Sequence, residues 1–276
     1  MPALAALVDA GYEVPIVVTG PDRRRGRGGA VSFTPVKHFA LDHGIDVTSR
    51  VDDVLDHGVD LGVVVAFGRL IGVDTLTRVP MVNLHFSRLP RWRGAAPIER
   101  AILAGDPTTA IAVMQVVEAL DEGDIFAEEV VDIGTDENAA ELRDRLAHRG
   151  SRLLVETIEA GFPTRRPQAG EAVYAHKITN KDRLLDWSLT AEQLGRIVRI
   201  GGAWTTFRGK RFKVHEAAVS DGSGPPGEIR DLGVGTAAGR LMLRVVQPEG
   251  KPRMAAESWA NGTRPDGERF DQPPHE

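Results

Sequence analysis

Residues 61–104 read LGVVVAFGRLIGVDTLTRVPMVNLHFSRLPRWRGAAPIERAILA, and the organisation of the chain turns on them. The run LGVVVAF, residues 61–67, is continuously apolar and rich in β-branched residues, as expected of a parallel strand covered on both faces. Residues 73–79 carry a helical pattern, residues 81–86 form a second strand-like run, and residues 96–104 read as another helix. Strand–helix alternation of this kind predicts an open α/β sheet, mostly parallel.

Upstream, residues 1–9 read as a helix stopped by Gly11, and residues 14–19 as a strand. PDRRRGRGGAVSF, residues 21–33, reads as a long loop, after which Thr34-Pro35 opens a helix by cap and first-turn chemistry. Downstream, residues 111–117 and 125–132 look like paired strands, and residues 137–160 a long helix. Periodicity fades over residues 161–181, where Pro, Gly and charges accumulate as in a linker. A short helix over residues 190–200 then precedes strand-like segments WTTF, RFKVHEAAV, GEIRDL and RLMLRVV, which suggest a small barrel or sandwich. The expected division is a catalytic domain over 1–162, a linker over 163–183 and a second domain over 184–276. A doubly wound sheet ordinarily starts on a strand that becomes central. This chain starts on the helix that should follow it, so the first strand is expected to be missing from the sheet.

The chain has 276 residues, a formal net charge of −5 and no cysteine. Disulfides, thiolate metal sites and cysteine nucleophiles are thereby excluded. No apolar run approaches the roughly 18 residues needed to span a bilayer, and no signal-peptide pattern is visible. A cytoplasmic protein is the simplest reading. The charge distribution says more than its sum. Arg23, Arg24, Arg25 and Arg27 crowd one Gly-rich segment, and Arg88, Arg91, Arg93 and Arg100 follow the second strand. Residues 196–215 hold six Lys and Arg and no acid. Basic stripes on an acidic chain suggest an anionic ligand. No G-x-G-x-x-G opens a helix after a strand, which argues against a nicotinamide dehydrogenase.

In open α/β sheets ligands sit beyond the carboxyl ends of the strands. Asn83 and His85 are two residues apart, so a strand puts their side chains on one face. Two donors aimed into a crevice make a candidate oxyanion site. A carboxylate would have to orient the imidazole and take or relay a proton. The segment ALDEGDIF, residues 119–126, offers Asp121, Glu122 and Asp124. Spacing alone fits a structural histidine as well as a catalytic one.

NLHFSRLPRWRGAAPIERAI, with Asp121 within LDEGDIF 36 residues after His85, resembles the formyltransferase family that uses 10-formyltetrahydrofolate. The resemblance continues through PDRRRGRG, TPVKHFA, VVVAFG, YAHKITNKDRLLDWS and GGAWTTFRGKRFKV, nearly the whole chain. It implies a Rossmann-like catalytic domain and an OB-like C-terminal barrel. The implied reaction moves the formyl group from N10 of the folate to the α-amine of methionine esterified to initiator tRNA, for translation initiation. Asn83 and His85 would then donate to the formyl oxygen. Asp121 would hold His85, favour its imidazolium form and accept the amine proton. Ser87, Arg88, Leu89 and Pro90 would lie against the folate, with Arg88 where the family usually has Leu. Val65, Phe67 and Gly68 would form part of the pterin pocket wall. Arg23, Arg25 and Arg27 would reach the acceptor stem of the tRNA, Arg27 being the best match. Lys37, Lys210 and Arg211 would be further phosphate contacts. A monomer without a metal is expected. Two alternatives stand beside this reading: a folate-dependent transferase or hydrolase acting on a small amine, and an RNA-binding fragment without the chemistry. The missing strand and the absence of the family's Gly-Thr-Pro loop favour the second. The basic loop and second domain argue against the first.

Overall fold

Short strands and two helices build the N-terminal part of the chain: α1 (Pro2–Asp9), β1 (Ile16–Val18), β2 (Arg23–Arg25), β3 (Ala30–Ser32), α2 (Pro35–Asp42) and β4 (Asp46–Thr48). The computed structural model describes residues 1–25 and 30–271. Thr34 accepts the Lys37 N–H at 3.2 Å, and Pro35 fills the first turn of α2, as its sequence foretold. β1 and β4 pair in parallel over a small core of Val17, Ala40 and Ile45. The segment read as a long loop contains an antiparallel ladder, β2 on β3. Three consecutive arginines hide the alternation by which a strand is recognised.

β5 (Gly62–Val65), α3 (Val73–Arg78), β6 (Met81–His85), β7 (Arg91–Gly94), α4 (Pro97–Ala104), β8 (Thr108–Gln115), β9 (Ile125–Asp132), α5 (Ala139–Glu159) and β10 (Val173–Ala175) follow. The main sheet has the order β5-β6-β8-β9. β5 and β6 are parallel, whereas β6–β8 and β8–β9 are antiparallel. The expectation of a mostly parallel sheet is therefore corrected: the fold is α/β with a mixed sheet. A helical crossover joins β5 to β6, but β8 and β9 form a hairpin, and a hairpin can only be antiparallel. A second correction concerns LGVVVAF. Its strand ends at Val65, which is 36% exposed, and Ala66 turns away with φ 49°. β5 is half-buried over its first three residues and exposed at its last, so it does not have the cover on both faces that its composition implied.

β6 and β8 are buried along nearly their whole length. α5 lies close on them: a Cβ at Gly150 would stand 3.1 Å from the side chains of both Ile111 and Leu84. The segment read as a linker is also structured, since β10 pairs in parallel with β7.

The chain divides into two units, one of residues 1–97, 108–132 and 143–176, the other of residues 98–107, 133–142 and 177–276. The second unit is completed by α6 (Ala191–Arg199), β11 (Trp204–Phe207), β12 (Lys210–Ser220), β13 (Ile229–Arg230), β14 (Gly233–Gly235), β15 (Arg240–Pro248), β16 (Met254–Ala255) and α7 (Ala256–Thr263). Thr190 and Gln193 form a reciprocal capping box at the start of α6. The strands make one antiparallel sheet in the order β11-β12-β15-β14-β13, with β16 on β15. Its core is aliphatic with an aromatic cluster of Trp187, Phe207, Phe212, Trp259 and Phe270. Trp187 stacks on Phe270 at 5.1 Å between centroids and donates to Thr205 Oγ1 at 3.3 Å, which satisfies the indole N–H that burial would otherwise strand. Among the described residues, no helix is long and apolar enough to cross a membrane.

Candidate active site

β6 carries Asn83 and His85 on one face, and its pairing with β5 and β8 holds both close to the end of the sheet. The β8–β9 loop brings Asp121 to them. Asp121 Oδ1 accepts from Asn83 Nδ2 at 3.3 Å, and Oδ2 accepts from the Gly94 N–H at 2.8 Å. His85 Nδ1 lies 3.7 Å from the same Oδ2. The structure thus brings Asn83, His85 and Asp121 together around one carboxylate. Glu122 instead pairs with Arg93 at 2.8 Å, and Asp124 faces Arg165 at 3.4 Å.

The backbone around this carboxylate is unusual. Asp121 has φ 53°, Trp92 φ 65° and Gly94 φ 110°. Non-glycine residues with positive φ persist only where their surroundings hold them, and such residues cluster at functional sites. At Gly94 the extended left-handed backbone lets the N–H reach Asp121. At Gly123 the reason is space: a Cβ there would meet the Gln115 carbonyl oxygen at 1.9 Å.

His85 is 6% exposed. Its Nε2 is 3.1 Å from the Trp92 carbonyl, to which Ser87 Oγ also donates at 3.3 Å. A carbonyl can only accept, so Nε2 carries the hydrogen, and in the neutral ring Nδ1 is left with a lone pair. Burial lowers the His85 pKa from its ordinary 6.5, while the Asp121 carboxylate and the Trp92 carbonyl pull it the other way. The net direction is down. Asp121 thus favours the imidazolium, as expected of it, while desolvation opposes that influence and sets the net direction.

Of the residues expected at the folate, Ser87, Leu89 and Pro90 are buried and Arg88 is exposed. Leu89 packs with Ala112, Met114 and Ile125. Val65 and Gly68 are exposed and Phe67 half-buried, which leaves apolar surface at the carboxyl end of β5. Among the residues expected at the tRNA, Arg27 lies outside the described residues, and Arg23 and Arg25 stand on β2. Lys37 is ion-paired with Asp22 at 2.7 Å and lies over the Phe33 ring. In the second unit, Lys210 and Arg211 line a groove of about 740 Å³ with Arg208 and Lys251, over Phe212 and Trp259. Arg211 also rests on the Trp204 ring at 4.2 Å and donates to Asn180 at 2.9 Å.

Pairing qualifies the basic stripes. Arg93 meets Glu122, and Arg100 meets Asp182 at 2.7 Å. Burial alone would raise the Asp182 pKa, but Arg100 and Thr179 outweigh it and hold it at about 2. Sequence reasoning missed Gly94, Trp92 and above all Gln168, whose amide donates to the carbonyls of Asp121 and Gly123. A polar residue between Pro167 and Ala169 in an aperiodic stretch carries no signal of such a position.

Residues 4–158 match the formyl transferase family, and residues 177–264 match the formyl transferase C-terminal domain. The methionyl-tRNA formyltransferase of Symbiobacterium thermophilum is 42% identical, over 94% of this chain and 88% of that protein. The methionyl-tRNA formyltransferase of Thermobifida fusca is 40% identical, over 98% of this chain and 95% of that protein. Among solved structures, WlaRD, a sugar 3N-formyl transferase crystallised in the presence of dTDP and 5-N-formyl-THF, superposes with a TM-score of 0.64. It is 15% identical, covering 91% of this chain and 94% of that one.

Proposed function

The chain belongs to the formyl transferase family, and from that premise we propose how its residues perform formyl transfer. The enzyme moves the formyl group of 10-formyltetrahydrofolate to the α-amine of methionine esterified to initiator tRNA, the step that prepares this tRNA for translation initiation. Relatives named for that reaction at 40–42% identity over nearly the full chain support it. A small-amine acceptor is not favoured.

The folate supplies an activated formyl group; this chain's own residues supply charge stabilisation and proton handling. Asn83 spends one N–H on Asp121, and its second is the donor for the oxygen on which negative charge builds as the amine attacks. A preorganised donor of that kind is typically worth about 10²–10³ in rate. His85 and Asp121 are the proton-accepting pair. With Nε2–H bound to Trp92 and the ring kept neutral by burial, Nδ1 and the carboxylate face each other without a proton between them. The proton lost by the attacking amine enters there, directly or through water. It makes an imidazolium that the adjacent carboxylate stabilises and that can donate in turn. The same proton goes to N10 as the carbon–N10 bond breaks, so the products are the formylated amine and tetrahydrofolate, and the pair is restored. General acid–base help of this kind contributes about 10²–10⁴. Ser87, Leu89 and Pro90, with Val65, Phe67 and Gly68, form the folate wall in this reading, and the exposed apolar surface at Val65 fits a pterin ring. Arg88 belongs to the same wall segment, with its side chain exposed.

Residues 1–162 form the catalytic domain and residues 184–276 an OB-like tRNA shelf, joined by residues 163–183. The antiparallel sheet of the second unit and its basic groove support that reading. Arg23, Arg25 and Arg27 approach the acceptor stem; Lys37, Lys210 and Arg211 meet phosphates, which position the tRNA without specifying it. Lys37 would exchange Asp22 for phosphate. The enzyme works as a monomer in the cytoplasm.

The observation that carries the catalytic assignment is the convergence of Asn83, His85 and Gly94 on Asp121. An Asn83→Ala variant tests the oxyanion role. It should lower kcat about 10²–10³-fold while both KM values hold. A loss confined to KM would place Asn83 in ground-state binding and end the oxyanion assignment.

A further inference from the structure

Gln168 uses every hydrogen-bonding position its side chain has. Its amide nitrogen donates to the backbone carbonyls of Asp121 and Gly123, each at 2.8 Å. Its oxygen accepts from Arg93 Nε at 3.0 Å and Nη2 at 2.8 Å. A primary amide has two N–H donors and two acceptor sites, so the complement is full. Arg93 in turn grips Glu122 at 2.8 Å. Residues 121 and 123 of the β8–β9 loop are thereby tied directly to a segment more than forty residues away, and Glu122 is tied to it through Arg93.

The loop needs such a tie. Asp121 sits in the left-handed region without the freedom of a glycine, and its carboxylate can meet Asn83, Gly94 and His85 together only while that backbone is held. The chemistry of the tie is also specific. Two loop carbonyls require donors, and a guanidinium requires an acceptor. A carboxylate cannot donate, and an ammonium or guanidinium cannot accept. An amide does both.

We propose that Gln168 is a positioning residue for formyl transfer: through the carbonyls of Asp121 and Gly123 and through Arg93 it holds the Asp121 carboxylate in register with His85 and Asn83. This rests on Asp121 being the acid–base group. The test uses the full chain and compares Gln168→Glu, Gln168→Met, Asp121→Asn and the double variant Gln168→Glu with Asp121→Asn. For each, kcat, both KM values, the pH profile of kcat/KM and the thermal midpoint are measured. Gln168→Glu keeps the acceptor for Arg93 but sets a carboxylate oxygen against the two carbonyls, so Gln168→Met, which removes the donors without adding charge, is read beside it. The kcat of Gln168→Glu, measured well below its thermal midpoint, should fall about 10- to 100-fold, the loss typical of a displaced catalytic group, with KM for tRNA and folate within about threefold. Gln168→Met should lose at least as much. Added to Asp121→Asn, Gln168→Glu should cause no further loss, because the group it positions is already gone. Wild-type kcat in Gln168→Glu, or a double variant whose losses multiply, overturns the proposal. Full rate in Asp121→Asn is a separate result, since it removes the catalytic assignment itself whatever Gln168 does.

Discussion

The buried imidazole yields a quantitative test with a definite sign. If neutral His85 takes the amine proton, activity must fall as pH drops and the ring becomes protonated before substrate arrives. Burial moves that event below pH 6.5, with Asp121 and the Trp92 carbonyl opposing the shift without reversing it. The acidic limb of kcat/KM should therefore lie below pH 6.5, and a bell-shaped profile reports the free enzyme. Each unit of displacement is a factor of ten, or about 1.4 kcal/mol, between the two protonation states. Replacing Asp121 by Asn removes the electrostatic influence that raises the pKa, so His85 should titrate still lower in that variant. Stability carries the same signature. Above about pH 6.5 the ring is neutral in both the folded and unfolded chain and contributes nothing. Below it, the unfolded chain binds a proton that the folded chain refuses, so stability declines with falling pH until the folded pKa is reached. Nitrogen-detected NMR on the free protein reads both the titration and the tautomer, with the hydrogen expected on Nε2. A limb above pH 6.5, or an imidazolium at neutral pH in the free protein, would refute the reasoning.

Two further outcomes follow from the loop and the basic surfaces. Gly123→Ala puts a Cβ 1.9 Å from the Gln115 carbonyl oxygen; the loop must shift, with a stability loss of at least about 1–3 kcal/mol by denaturant unfolding and a parallel fall in kcat. Arg27→Ala and Lys210→Ala should each raise KM for tRNA and flatten its dependence on log salt by about one phosphate contact. Both should spare turnover of a small amine acceptor, and a loss of that turnover would move either residue into the active site.

Elements set by local chemistry were legible in the sequence. Thr34-Pro35 announced α2, and the strand-like runs at residues 111–117 and 125–132 became the β8–β9 hairpin. The pair Asn83 and His85 was visible because strand geometry alone puts them on one face, and the family motif singled out Asp121 among three acids. What escaped was non-local. The mixed sheet depends on how β8 returns beside β6, and β10 exists only because residues 173–175 find β7. Gln168 becomes important through the same folding-back. Lys37, Arg93 and Arg100 counted as free positive charge until the fold supplied Asp22, Glu122 and Asp182. The direction in which the His85 pKa moves could not be read from its neighbours in sequence, since burial is its largest cause.

The most direct measurement is single-turnover formylation of methionyl-initiator-tRNA by Asp121→Asn at saturating folate. The substitution keeps the shape but removes the charge, and it sets an N–H₂ against either Gly94 N–H or Asn83. The rate should drop about 10²–10⁴-fold in a protein that still folds and still binds both substrates. A folded variant that formylates within a few-fold of the wild type would mean that the carboxylate on which Asn83, His85 and Gly94 converge is scaffolding, and that the chemistry lies elsewhere.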